Sequence, residues 1–183
     1  MKKILFLIFI TIFSSLDTLA KEWKIINEKS SINFSVLQNQ GYINGKIKNF
    51  NGKIYFDINN IDKSTVNIEI DLASISLSLK DGESMLKDKS WLYINEFPLA
   101  YFSSNKISKI SKNKYRAYGF LEIKGIRSAV EIEFDLKKYN TNEALVEGFA
   151  KIHRSQFSIG PNDAKNSHGI ANDISVNFSI NAI

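Results

Sequence analysis

The sequence predicts an all-β chain of nine or ten strands closed into one antiparallel barrel, with a short helix crossing one end. Three observations predict it. Apolar and polar residues alternate with period two in several separate runs, as in strands with one dry and one wet face. Short clusters of turn residues separate those runs. No linker, repeat or low-complexity tract divides the 183 residues, a length suited to one domain.

The first twenty residues read as a leader rather than as part of the fold. Lys2 and Lys3 precede an apolar run from Ile4 to Phe13, and Thr18-Leu19-Ala20 closes a more polar stretch with small residues where a peptidase would read them. This is the three-part pattern of a secretory signal peptide. The run is shorter than the ~20 apolar residues of a spanning helix. The expectation is a signal peptide over 1–20, cleaved to leave one domain over 21–183, exported to the periplasm or secreted. Cleavage would lower the net charge of +5 by one.

The strands follow in order. One is expected near 22–26. Ile32, Phe34 and Val36 alternate with Ser31, Asn33 and Ser35. Strands near 42–48 and 52–58 come next, then Val66, Ile68, Ile70 and Leu72 alternating with Asn67, Glu69 and Asp71. Residues 81–92 break the pattern; Met85, Leu86, Trp91 and Leu92 suggest a short helix, near 82–92. Pro98 restarts a strand over 99–109, and another covers 114–124. Val130, Ile132, Phe134 and Leu136 form one dry face, 144–154 a further strand, and Ile174, Val176, Phe178 and Ile180 the last dry face. Gln38 to Gly41, Asn51-Gly52, Asn59-Asn60, Lys112-Asn113, Lys124-Gly125 and Tyr139 to Asn142 are the expected turns. One wet and one dry face favour antiparallel pairing. Such a set fits a sandwich or a barrel, and the long consecutive hairpins favour the barrel, which removes exposed edges.

The dry faces of two strands contain small residues, Ala117 and Gly119 on one and Gly148 and Ala150 on the other. A barrel of about eight strands is wide enough for filling side chains or for one slim ligand, and small inward residues favour the ligand. Thirteen phenylalanines could equally fill the space. Arg154 continues an apolar face. It either meets a ligand headgroup through paired hydrogen bonds or pairs within the protein, as buried charges usually do.

Reactive residues are scarce. Cysteine is absent and there are two histidines, which removes disulfides, thiolate metal sites and cysteine nucleophiles. No Gly-x-Ser-x-Gly elbow accompanies the serines. Asp163, His168 and Asp173 match no metal-ligand spacing. The expectation is a protein that is not an enzyme, with no metal and no covalent cofactor. The lysines are scattered, which argues against nucleic acid. The group over Lys106 to Lys114 suits instead a transient contact with anionic membrane headgroups.

Several runs of residues resemble the YceI family of exported, lipocalin-like proteins. Gly45 to Asp57 follows its G-x-F-x-x-F-x-G-x-I-x-F-D run, with Ile47 for the first Phe. Trp23-Lys24-Ile25, Ser30 to Val36, Phe97 to Ser104, Gly119 to Gly125 and Ile152 to Gly160 resemble its other motifs in order, so the likeness runs from Trp23 to Ala182. Three positions depart from the pattern: Glu122 stands for the usual Thr, Gln156 and Ser158 for the usual Asp and Gly, and Gly82-Glu83 lies where an Arg-Asp pair is common. The resemblance implies an eight-stranded antiparallel lipocalin-like β-barrel holding a long apolar chain, such as a polyisoprenoid or isoprenoid quinone, for transport, storage or stress response, and it implies no catalysis. Under it the ligand-lining candidates are Phe34, Val36, Phe50, Phe102, Leu121, Ala150 and Phe157, with Leu86 and Trp91 closing one end and Arg154 near the mouth. Each is equally explained by core packing. Two alternatives stay open: a binder of fatty acids or fatty amides, and a filled barrel acting through its surface in stress or interaction. A homodimer through an exposed barrel edge is a further partner reading.

Overall fold

The computed structural model describes residues 21–79, 82–161 and 169–183. The leader over 1–20 and the pair Asp163 and His168 lie outside the described residues.

Eleven strands form one antiparallel sheet: β1 (Glu22–Lys24), β2 (Ser31–Gln38), β3 (Gly41–Ile47), β4 (Phe50–Tyr55), β5 (Thr65–Asp71), β6 (Ile75–Leu77), β7 (Leu99–Lys109), β8 (Lys114–Ile123), β9 (Ile126–Tyr139), β10 (Ala144–His153) and β11 (Ile170–Ala182). Their order is β1-β4-β5-β7-β8-β9-β10-β11-β2-β3-β6. The sheet curls until β1 meets the end of β11. Lys24 and Ile183 exchange backbone hydrogen bonds of 2.8 and 3.0 Å, and Ile26 N–H donates to Asn181 at 2.8 Å. One end of the barrel is therefore closed by hydrogen bonds, while at the other the sheet stops at β6.

The count exceeds the expected eight because the wall is broken, not because the architecture differs. β3 and β4 are two halves of one course interrupted at Lys48-Asn49. The first half pairs with β2 and the second with β5. Taken as one course, and with the three-residue β1 and β6 set aside as fillers beside the break, the wall has the eight courses that the family resemblance implies. The break has a specific cause. The hydroxyl of Ser74 accepts the N–H groups of both Lys48 and Asn49, at 3.2 and 2.9 Å, so two ladder donors are satisfied away from the ladder. The expected turn at Asn51-Gly52 is not one. Both residues lie inside β4, opposite Glu69 and Ile68.

The hairpins follow the turn chemistry. At Lys124-Gly125 both residues have positive φ, 54° and 70°, the arrangement of a two-residue turn whose twist matches that of the strands. The helix α1 is shorter than the sequence suggests, Gly82–Lys87. Asp88 ends it: its carboxylate accepts from Ser90 N–H at 2.7 Å, and its carbonyl accepts from Trp91 and Tyr93. A carboxylate that bonds its own backbone two residues on competes with the helix ladder. Residues 88–98 therefore run as turns over the barrel end.

Candidate functional site

Alternation sends one face of every course inward, and those faces enclose a cavity of about 350 Å³. Among the described lining residues only Arg154 is not apolar. On β10 the lining runs from Ala144 to Ile152, about 26 Å of strand at 3.3 Å per residue. Strands in closed barrels tilt by about 35–45°, which leaves a lumen about 20 Å long.

The far end is closed by rings. Phe56 meets Tyr115 edge-on at 5.5 Å between centroids and Tyr139 at 5.8 Å, Tyr115 stacks on Phe134 at 5.4 Å, and Trp23 packs on Tyr139 at 5.3 Å. Burial pushes the Tyr115 and Tyr139 hydroxyls above their ordinary pKa, so both are neutral. Sequence reasoning named none of these for the site. Alternation puts Tyr115 and Phe134 on dry faces; Trp23, Phe56 and Tyr139 are scattered along the chain and meet them only in the fold.

The near end is closed by two segments held together. Gly160 N–H donates to the Ser90 carbonyl at 2.6 Å. Lys124 Nζ donates to the carbonyls of Lys89 at 3.1 Å and Ser158 at 3.0 Å, so one side chain staples both segments. Burial holds its ammonium below the ordinary lysine pKa, with the Asp88 charge acting the other way. Trp91 and Leu92 line the cavity beneath.

Arg154 is 3% exposed. Its guanidinium donates to four backbone carbonyls: Ala171 at 3.1 Å, Ile159 and Pro161 at 2.8 Å, and Ile170 at 3.1 Å. Its centre lies 5.9 Å from the Trp91 ring, and burial lowers its pKa. Among the described residues it ties the 159–161 segment to the start of β11, which is the pairing within the protein that the sequence left open. His153 alternates outward and stands 2.8 Å from Asp173.

Of the candidates, Phe34, Val36, Leu86, Trp91, Phe102, Leu121, Ala150 and Arg154 come together around the lumen. Phe50 and Phe157 do not. Phe50 is buried among Leu72, Ile75, Leu86 and Ala100, and Phe157 is fully buried beside Ala150, Ile152 and Ile159. Phe50 lies on the inward face of β4 with Ile54, opposite Ile70, but packs beneath lumen-lining side chains without reaching the cavity; Phe157 sits in a 3₁₀ turn, where period two does not carry.

The small residues act in two ways. Ala117 and Ala150 line the lumen directly. Gly148 does not; a Cβ there would collide with the ring of Phe178 and come within 2.8 Å of Phe134, its register partners on both sides. Gly45 is covered in the same way by Phe34. Bare backbone lets these rings lie along the wall instead of across the lumen, the pairing of ring and glycine known as aromatic rescue.

A family model described as the YceI-like domain matches residues 23–182. A UPF0312 protein of Yersinia enterocolitica is 28% identical over 128 residues, 68% of this chain and 66% of its own. Another, from Photorhabdus laumondii, is 28% identical over 102 residues, 55% and 53%. The chain thus spans between about half and two thirds of the length of these curated relatives. Among solved structures, BcnA of Burkholderia cenocepacia is 26% identical, with a TM-score of 0.79 over 87% of this chain and 99% of that one. A polyisoprenoid-binding domain from Saccharophagus degradans, implicated in plant cell wall breakdown, is 11% identical, with a TM-score of 0.67 over 90% and 98%. A Campylobacter jejuni YCEI protein is 18% identical, with a TM-score of 0.63 over 75% and 82%. The last two likenesses establish the lipocalin-like barrel and nothing finer.

Proposed function

Because the chain belongs to the YceI-like family, we propose that it is an exported carrier or store of one long apolar chain, of polyisoprenoid or isoprenoid-quinone type, held in the barrel lumen. One observation carries the reading: a cavity of about 350 Å³ whose described lining is apolar except for Arg154. That volume falls within the ~300–1,000 Å³ of small-molecule sites. A space this size without polar partners is poorly suited to water, and an isoprenoid tail asks for no hydrogen bonds. Each Å² of apolar surface it buries contributes about 25 cal/mol. The length of the lumen favours a slim, extended ligand over a compact one. The polyisoprenoid-binding neighbour shares the barrel at 11% identity, which lends support to the architecture. The scarcity of nucleophile–base pairs favours binding over catalysis. Delivery in this reading follows transient contact with a membrane surface, and no nucleic acid is involved.

The test is the identity of lipid extracted from protein purified from its native host. One isoprenoid species bound in near-equimolar amount supports the reading. A fatty acid or fatty amide in its place moves the function to the alternative ligand class, and the absence of any bound lipid points to the surface-acting barrel.

A further inference from the structure

The outer wall of the barrel has two unlike halves. Across β8, β9, β10 and β11 many charged groups are paired: Lys114 with Glu133 at 2.8 Å, Arg116 with Glu131 at 2.9 Å, and Lys151 and His153 with Asp173 at 3.4 and 2.8 Å. Across β11, β2, β3 and β6 the outward residues are Asn and Ser in register, Asn177 opposite Asn33 and Ser175 opposite Ser35, then Asn33 opposite Lys46 and Ser35 opposite Asn44. A concavity of about 480 Å³ lies here, lined also by Phe34, Gly45, Leu77 and Ser78, and among the described residues no carboxylate lines it. The side chains of Asn33, Asn44, Asn177, Ser35, Ser76 and Lys46 make no hydrogen bond or ion pair with any other described residue. Phe149, 51% exposed, is the register partner of Asn177 and continues the same row.

We infer that this face is a binding site for a glycan strand carrying N-acetylated amino sugars. The donor set selects the class. Each free carboxamide offers two N–H donors and one carbonyl acceptor, which matches an acetamido group's N–H and C=O together, and three such amides share the groove. Uncharged amides and hydroxyls with a single ammonium give little to a highly charged polymer, which binds through many cations at once. The exposed face of Phe149 supplies the apolar ring that a sugar's C–H face packs on, while the amides beside it take the polar rim. The row Phe149, Asn177, Asn33, Lys46 and Ser76 crosses five adjacent strands. At about 4.8 Å between strands it is about 19 Å long, room for several linked sugars. The polar side chains of this site face away from the lumen, although Phe34 and Leu77 form part of the wall that separates the two.

The test is a heteronuclear NMR titration of the whole chain with the β-1,4-linked tetramer of N-acetylglucosamine, and in parallel with cellotetraose, which has the same linkage and no acetamido group. The expected result is saturable movement of the Asn33, Asn44 and Asn177 side-chain amides with a Kd of about 1 mM or tighter, and binding of cellotetraose weaker by about tenfold. The double variant Asn33→Ala, Asn177→Ala should lose about tenfold in affinity with an unchanged unfolding curve, since neither side chain bonds to another described residue. No movement of these amides, movement confined to another face, or equal binding of the two tetramers overturns the inference. The wild-type titration decides this even if the variant folds poorly.

Discussion

Gly160 donates its N–H to the Ser90 carbonyl at 2.6 Å with a backbone φ of +67°, and this contact seats the Trp91 ring over the lumen. A Cβ at position 160 would stand 2.7 Å from that ring and sit on backbone that side chains rarely adopt. Gly160→Ala is expected to cost about 1–2 kcal/mol from the left-handed backbone alone. Urea unfolding measures the loss, and Trp91 fluorescence should shift to the red as the indole leaves its seat. An unshifted spectrum with unchanged stability would show that the contact is dispensable.

Lys124 predicts a kinetic effect. Its two bonds join the 89 and 158 segments, and they lie above the lumen, not in it. Lys124→Met should accelerate both entry and release of a neutral fluorescent probe such as N-phenyl-1-naphthylamine, with little change in Kd. Stopped-flow mixing reads both rates. A change confined to release would mean that the residue stabilises the bound probe and does not hold the cover.

Arg154 ties two segments through four carbonyls. Arg154→Met keeps most of the stem and removes every donor, leaving buried acceptors unpaired at about 1–3 kcal/mol. Arg154→Lys should recover little, because an ammonium cannot reproduce a planar fork. Chemical denaturation of the two variants against wild type checks this; full stability in the lysine variant would contradict the clamp.

On the outer wall, hydrogen bonds and charge from Lys114 and then Arg116 hold the Glu133 carboxyl below its ordinary pKa of 4.5. A depressed carboxyl contributes stability that is complete above the unfolded pKa and is lost as pH falls through the folded one. The melting temperature of wild type should therefore fall below pH 4.5, and Glu133→Gln should flatten that part of the profile. Parallel profiles for the two proteins would show that the pair contributes nothing to acid stability.

Much of this was legible in the chain because period two survives wherever a strand is unbroken. Phe34, Val36, Phe102, Leu121 and Ala150 fall on the lumen side through alternation alone. What escaped depends on contacts distant in sequence. The interruption at Lys48-Asn49 needs the hydroxyl of Ser74, so the inward phase of Ile43 and Ile47 restarts at Phe50 and Ile54 instead of at Asn49. The ring cluster at the far end joins Trp23, Phe56, Tyr115, Phe134 and Tyr139, brought together only when β1 closes on β4 and β11. In the sequence the glycines suggest space. The structure shows that their rings take that space and keep to the wall, so the lumen owes its width to the pairing of ring and glycine as well as to Ala117 and Ala150.

The central claim is that the lumen holds a chain. Ala150 lines it, is 6% exposed and sits on β10 towards the end that Trp91 and Arg154 close. Ala150→Phe should plug the tube below its near end at an overpacking cost of about 1–3 kcal/mol. The direct measurement is the lipid extracted per mole of folded protein from the native host, for wild type and for this variant. About one long-chain molecule per wild-type barrel and none in the variant is the predicted result. Equal lipid in both, with the variant folded, would contradict it.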